Sequence, residues 1–133
     1  MEPWVPQISD ILTAIISLAC RGGEELRVPR VYSALSELKG RDALLSGLYF
    51  SITGAVCYSR QIEEILHSLV DKGILILKGR DTLVVRAEAA REIRGRLRKK
   101  LPSSAYRGLK TASKKFYGNM FKGKEKAPSP IPG

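Results

Sequence analysis

The chain has 133 residues, 44% of them hydrophobic, and a formal net charge of +10. That length holds one globular domain with a core that requires neither metal nor disulfide. The apolar stretch 11–20 is too short to cross a bilayer, contains Thr13 and Ser17 and follows no basic segment, which argues against a membrane span or secretory leader and leads us to expect a cytoplasmic protein.

In chain order, Pro3 and Pro6 around Trp4 predict an extended arm at 1–7 whose tryptophan covers an edge of the core. Ile8, Ile11, Leu12, Ile15, Leu18 and Ala19 recur at helical spacing, predicting a supporting helix over 7–21 that Gly22 and Gly23 end. Leu26-Arg27-Val28 reads as a short strand, and Pro29 opens a second helix with Val31, Tyr32, Leu35 and Leu38 inward as far as Gly40. Residues 41–57 admit two readings: Leu44, Leu45, Leu48, Tyr49 and Ile52 fit a helix from Asp42, whereas 48–53 is also rich in strand-forming side chains. The helix is the reading we favour.

The next stretch, 58–86, organises the chain. Ile62, Ile65, Leu66, Leu69 and Val70 form one apolar stripe, with Ser59 as N-cap and Gly73 just past the end. Two strand-like runs follow, 74–78 and 82–86, joined by Gly79-Arg80-Asp81 in the manner of a hairpin. Beyond them, Ala89, Ile93, Leu97 and Leu101 make a narrow stripe on an Arg/Lys-rich helix over 87–101. Such a stripe suits either packing on the same domain or a homodimer contact. Pro102 interrupts, and Ser103 or Ser104 starts a basic amphipathic helix to about Tyr117. Residues 122–133 are expected to be a flexible tail, since little there can bury enough surface to offset chain entropy. There is no internal repeat.

Helix, glycine stop and hairpin resemble the recognition helix and wing of the winged helix-turn-helix superfamily, and with the preceding helices the likeness spans residues 8–86. It rests on element order and apolar spacing. The resemblance implies a mainly α fold with a small β-hairpin: a winged-helix domain over 7–86, a basic helical extension over 87–121, and the tail. It implies further that 58–72 pairs either with 41–57, or with 29–39 if 41–57 is an insertion.

Enzymatic chemistry finds little foothold. His67 is the sole histidine, no metal-ligand spacing occurs, and no glycine-rich phosphate loop is present, so no catalytic residue, metal or cofactor is expected. Cys20 and Cys57 sit among apolar neighbours and read as reduced thiols. Asn119, Gln7 and Gln61 are the only side-chain amides, a scarcity that, beside many Arg, Lys and Glu, resembles thermophile composition and leaves a disulfide open.

Charge is the stronger signal. Residues 1–85 carry nine Lys/Arg and ten Asp/Glu, a net −1, whereas residues 86–126 carry fourteen and three, a net +11. Such a block points to an anionic partner. By the winged-helix resemblance, Arg60, Gln61, His67 and Ser68 would meet the major groove, with Lys78 and Arg80 on the wing approaching phosphates. Glu64 and Asp71 share that outward face and would repel phosphate. Arg91, Arg94, Arg98, Lys99, Lys100, Arg107, Lys110, Lys114 and Lys115 would neutralise phosphates without choosing sequence. The expectation is a double-stranded-DNA-binding transcriptional regulator, dimeric through the 87–101 stripe. The alternative is a winged-helix protein-interaction module anchored by its basic tail to DNA, RNA or an anionic surface. Tyr106, Phe116, Tyr117 and Phe121 are the side chains that would stack on unpaired RNA bases.

Overall fold

Five helices and two small antiparallel sheets make up the protein in a computed structural model that describes residues 7–54 and 56–126. The predicted arm with Trp4 and the end of the tail, 127–133, lie outside the described residues.

The first helix, α1 (Ile8–Ala19), is its centre. Ile11, Leu12, Ala14, Ile15 and Ile16 are buried together with the polar Ser17, so burial covers a wide arc of the helix rather than one narrow stripe. A helix buried over so wide an arc must be flanked on several sides. It contacts a third helix, α3 (Arg60–Asp71), a fourth, α4 (Ala87–Lys100), and a fifth, α5 (Ser103–Lys126). After α1 comes a turn at Gly22, where a Cβ would lie 2.4 Å from that of Ala87. Glycine there lets the start of α4 lie directly on the turn.

Strand β1 (Glu25–Arg27) leads straight into α2 (Val28–Lys39), with Pro29 in its first turn as expected. Strands β4 (Leu75–Leu77) and β5 (Thr82–Val85) follow α3, and the sheet has the order β1-β5-β4, all antiparallel. Leu26 stands opposite Leu83, and Leu75 opposite Val85, on the buried side. The limits of α3 follow the predicted chemistry. Ser59 Oγ accepts from the Ile62 amide at 3.4 Å, and Gly73, at φ +79°, takes the left-handed position beyond the last turn.

The helix favoured over 41–57 does not form. Asp42 caps only a single 3-10 turn, Ala43–Leu45, through a 3.0 Å bond from the Leu44 amide. A separate hairpin follows, β2 (Ser51–Thr53) with β3 (Val56–Tyr58). Leu45 and Leu48 are fully buried, but Tyr49 and Ile52 are 72% and 67% exposed. Leu44 is partly buried against the same core, so three of the five side chains that suggested a helix serve as anchors and two do not. The strand-forming residues of 51–58 enter the hairpin instead, with Ser51 opposite Tyr58, Ile52 opposite Cys57 and Thr53 opposite Val56.

The last helix also departs from its expected end, running past Tyr117 through 122–126, a stretch read as tail. Two bonds hold it beyond that point: Asn119 Nδ2 donates to the Ala34 carbonyl at 3.2 Å, and Arg30 Nε donates to the Met120 carbonyl at 3.2 Å. Leu109, Ala112, Phe116 and Met120 enter the same buried cluster as α1, α2 and β5. One core thus runs across Arg86 with no division there.

Candidate nucleic-acid interface

The solvent face of α3 carries Arg60, Glu64, His67, Asp71 and the half-buried Glu63. Arg60 Nε lies 3.3 Å from Glu64 Oε2 one turn on, so its charge is locally matched. Gln61 is engaged within the chain. Its Oε1 accepts from the Tyr49 amide at 2.8 Å and its Nε2 donates to the Gly47 carbonyl at 2.9 Å, tying the 47–49 loop to the helix. Ser68 is half-buried in a crevice beside α1, and His67 borders a groove between α3 and the β4–β5 hairpin, with Leu77 and Arg80. Three carboxylates and one committed amide make this face a poor match for phosphate.

On the β4–β5 hairpin, Lys78 pairs with Glu25 and Arg27 lies 3.7 Å from Asp81, which leaves Arg80 as the hairpin's exposed cation outside any salt bridge among the described residues. Ile76 and Leu77 are 49% and 56% exposed. The hairpin therefore exposes apolar surface on β4 beside that unbridged cation near its turn.

The basic residues of α4 and α5 behave differently from one another. Arg94 turns inward: its Nη1 donates to the carbonyls of Ser17 at 3.0 Å and Cys20 at 3.4 Å, closing the C-terminal end of α1. That end has no basic residue of its own, so Arg94 supplies the missing cation. Arg96 pairs with Glu92 at 3.0 Å. Arg91, Arg98, Lys99 and Lys100 on α4, and Arg107, Lys110, Lys114 and Lys115 on α5, are exposed and join no salt bridge among the described residues. On α5 the helical spacing puts these cations opposite the buried Leu109–Ala112–Phe116 face. Between Ser103 and Phe121 there is no acidic residue.

The aromatic set expected to stack on bases is split. Phe116 is fully buried in the core. Tyr106, Tyr117 and Phe121 are half-buried along the helix flank, Lys110 Nζ lying 6.0 Å from the Tyr106 ring and the Tyr117 and Phe121 rings touching at 4.7 Å.

The α4 stripe divides into a part packed on its own chain, Leu97 and Leu101, and a half-buried part, Ala89 and Ile93. Leu97 and Leu101 pack against the core, and Ala89, Ile93, Leu97 and Leu101 together line one wall of an open groove of about 780 Å³ whose other walls include Thr13 of α1 and Leu69 of α3.

Sequence reasoning missed the β2–β3 hairpin as a surface feature. Ile52 and Val56 on it, and Tyr49 in the loop before it, stand 65% or more exposed, beside a tyrosine pair in which the Tyr32 and Tyr58 rings lie 5.5 Å apart. Tyr58 donates to Glu63 at 2.6 Å, a bond that raises its phenol pKa, and burial, assisted by Glu63 and Tyr58, pushes that of Tyr32 up to about 12. One signal was available: residues 48–59 contain no Asp, Glu, Lys, Arg or His.

Among the described residues, no group of three or more His, Cys, Asp or Glu could hold a metal ion, and no helix is long and apolar enough to cross a membrane. Comparison with protein-family models, characterised proteins and solved structures finds no match to this chain.

Proposed function

We propose that this is a winged-helix DNA-binding protein that gains its affinity from the outward faces of α4 and α5. The element order α1, β1, α2, α3, β4, β5 and the sheet order β1-β5-β4 support the winged-helix reading. In that reading α2 and α3 are the helix-turn-helix pair, and residues 40–59 are an insertion between them. A role in regulating transcription is what the resemblance implies. The observation that carries the DNA-binding proposal is the set of eight exposed cations on α4 and α5 outside any salt bridge among the described residues. Such a surface binds the phosphate backbone through counterion release, independently of base sequence.

A second reading is favoured by α3 itself. Gln61 is committed to the 47–49 loop, Arg60 is matched by Glu64, and the neighbouring hairpin exposes Ile76 and Leu77. These features suit a protein partner better than a major groove. The two readings are compatible: one surface anchors the protein to nucleic acid and the other presents it.

The test is a fluorescence-anisotropy titration of duplex DNA with the full-length protein at several salt concentrations. Replacing Arg98, Lys99, Lys114 and Lys115 by Ala should weaken binding to all duplexes alike. It should also flatten the log K against log salt slope by up to about 0.9 for each phosphate no longer neutralised. Arg60→Ala should change neither quantity much. Unaltered affinity after the fourfold replacement would remove α4 and α5 from the interface. Tighter binding to single-stranded RNA or anionic vesicles would redirect the assignment of the partner.

A further inference from the structure

We propose that the β2–β3 hairpin is a self-association surface, through which two copies of this chain join their β2 strands about a twofold axis. β3 lies against α2, which leaves β2 as the outer strand, all three of its residues exposed. In an antiparallel ladder, alternate residues turn their N–H and C=O groups away from the partner strand. On β2 those groups face a side on which no strand pairs among the described residues. Proteins that remain monomeric blunt such an edge by keeping the strand very short or with lysine, proline, a bulge or a covering loop, and of these devices β2 has only its shortness, three residues. Ser51, Ile52 and Thr53 include neither lysine nor proline, and their register with β3 is unbroken.

Electrostatics selects a second copy as the occupant. A chain of net charge +10 repels itself over most approaches, and its third from residue 86 onward does so most strongly. The twelve residues 48–59 bear no charged side chain, and Ile52 and Val56 are about two-thirds exposed there. The other apolar edge, β4, is flanked by Lys72 and Lys78 and is less suited to meeting its own copy.

The hairpin is also held in place before any partner arrives. Gln61 fixes the 47–49 loop, the Cys57 thiol points to the Tyr32 carbonyl at 3.9 Å, and the Tyr58 ring rests on Tyr32. Preorganisation of this kind lowers the ordering cost of association. An antiparallel edge is self-complementary under a twofold axis, and with only three residues in β2 the in-phase pairing places Ile52 opposite Ile52 of the second copy. The two Cα atoms would then be roughly 4.5–5.5 Å apart, within reach of a disulfide if both positions were cysteine.

The full-length chain, studied by sedimentation equilibrium over a concentration series in moderate salt without DNA, should show a reversible monomer–dimer equilibrium. Ile52→Lys should raise the dissociation constant about tenfold or more while leaving the circular-dichroism melt unchanged. Ile93→Glu on α4 should leave dimerisation intact. A wild-type chain that stays monomeric overturns the proposal, as does a dimer that survives Ile52→Lys or one that Ile93→Glu dissociates. Should Ile52→Lys disturb the melt, the decision passes to a chain carrying Ile52→Cys and Cys57→Ser. Under mild oxidation a cross-linked dimer on a non-reducing gel supports the β2 pairing, and its absence overturns it.

Discussion

Arg94 and Arg98 are one helical turn apart and alike in sequence, yet they have different tasks. Arg94 satisfies two carbonyls at the end of α1, whereas Arg98 projects into solvent outside any salt bridge among the described residues. Charge-assisted bonds to a helix end contribute on the order of 1–3 kcal/mol, and an unpaired surface cation contributes little. Arg94→Ala should therefore lower the unfolding free energy by about that amount in urea titrations, with Arg98→Ala within about 0.5 kcal/mol of wild type. Equal effects would mean that Arg94 is not a cap. Cys20, at the same junction, gives a pH dependence. Burial first, and Glu24 second, push its thiol from 9.0 up to about 12. Between those values the unfolded chain has lost a proton that the folded chain retains, so stability falls as pH rises through this window and is unaffected below it. Tyr32, raised from 10.0 to about 12, acts in the same direction. Thermal melts stepped from neutral pH to about pH 11 should decline, and less steeply for Cys20→Ala; a parallel decline would exclude the thiol as a source.

At the scale of elements, legibility depended on whether the deciding forces were local. The ends of α3 were readable because Ser59 and Gly73 act on backbone groups within a few residues of themselves. Residues 41–57 were not, because their conformation is settled from outside. Leu45 and Leu48 are buried by other elements, and the loop between them and β2 is secured by Gln61, twelve and fourteen residues away from Tyr49 and Gly47. The same long-range bonds explain why Gln61, placed by sequence among the groove-reading residues, faces the loop instead. Gln61→Ala removes both partners of the loop backbone at once. With the two groups partly exposed, the loss should be about 1–2 kcal/mol, and amide exchange should accelerate at Tyr49 and the adjacent hairpin while α1 and α5 keep their protection. Uniformly faster exchange would mean that the insertion has no tether of its own.

Over the whole molecule, the jump in charge after residue 85 suggested a boundary that the core does not share. Composition separates a near-neutral part from a basic one, but Leu109, Ala112, Phe116 and Met120 show α5 to be basic on one face and core on the other. Sequence periodicity made α5 amphipathic without revealing what its apolar face covers, and the answer is α1 and α2. A chain ending at Arg86 would lose those four side chains and Ala90, along with the partial cover from Leu97 and Leu101. At about 1.5–3 kcal/mol for each large side chain, Leu109, Phe116 and Met120 alone account for roughly 5–9 kcal/mol. That is comparable to the whole net stability of a domain, about 5–15 kcal/mol. The truncated chain should therefore lack a cooperative thermal transition and show a collapsed amide spectrum. Lys114→Ala with Lys115→Ala, on the opposite face of the same helix, should melt within a few degrees of wild type, since exposed substitutions rarely exceed about 0.5 kcal/mol. A cooperative melt from the truncated chain would restore the boundary at Arg86. Without such a melt, a loss of DNA binding on truncation says nothing about which surface binds, and only substitutions on the outward faces of α4 and α5 can separate charge from fold.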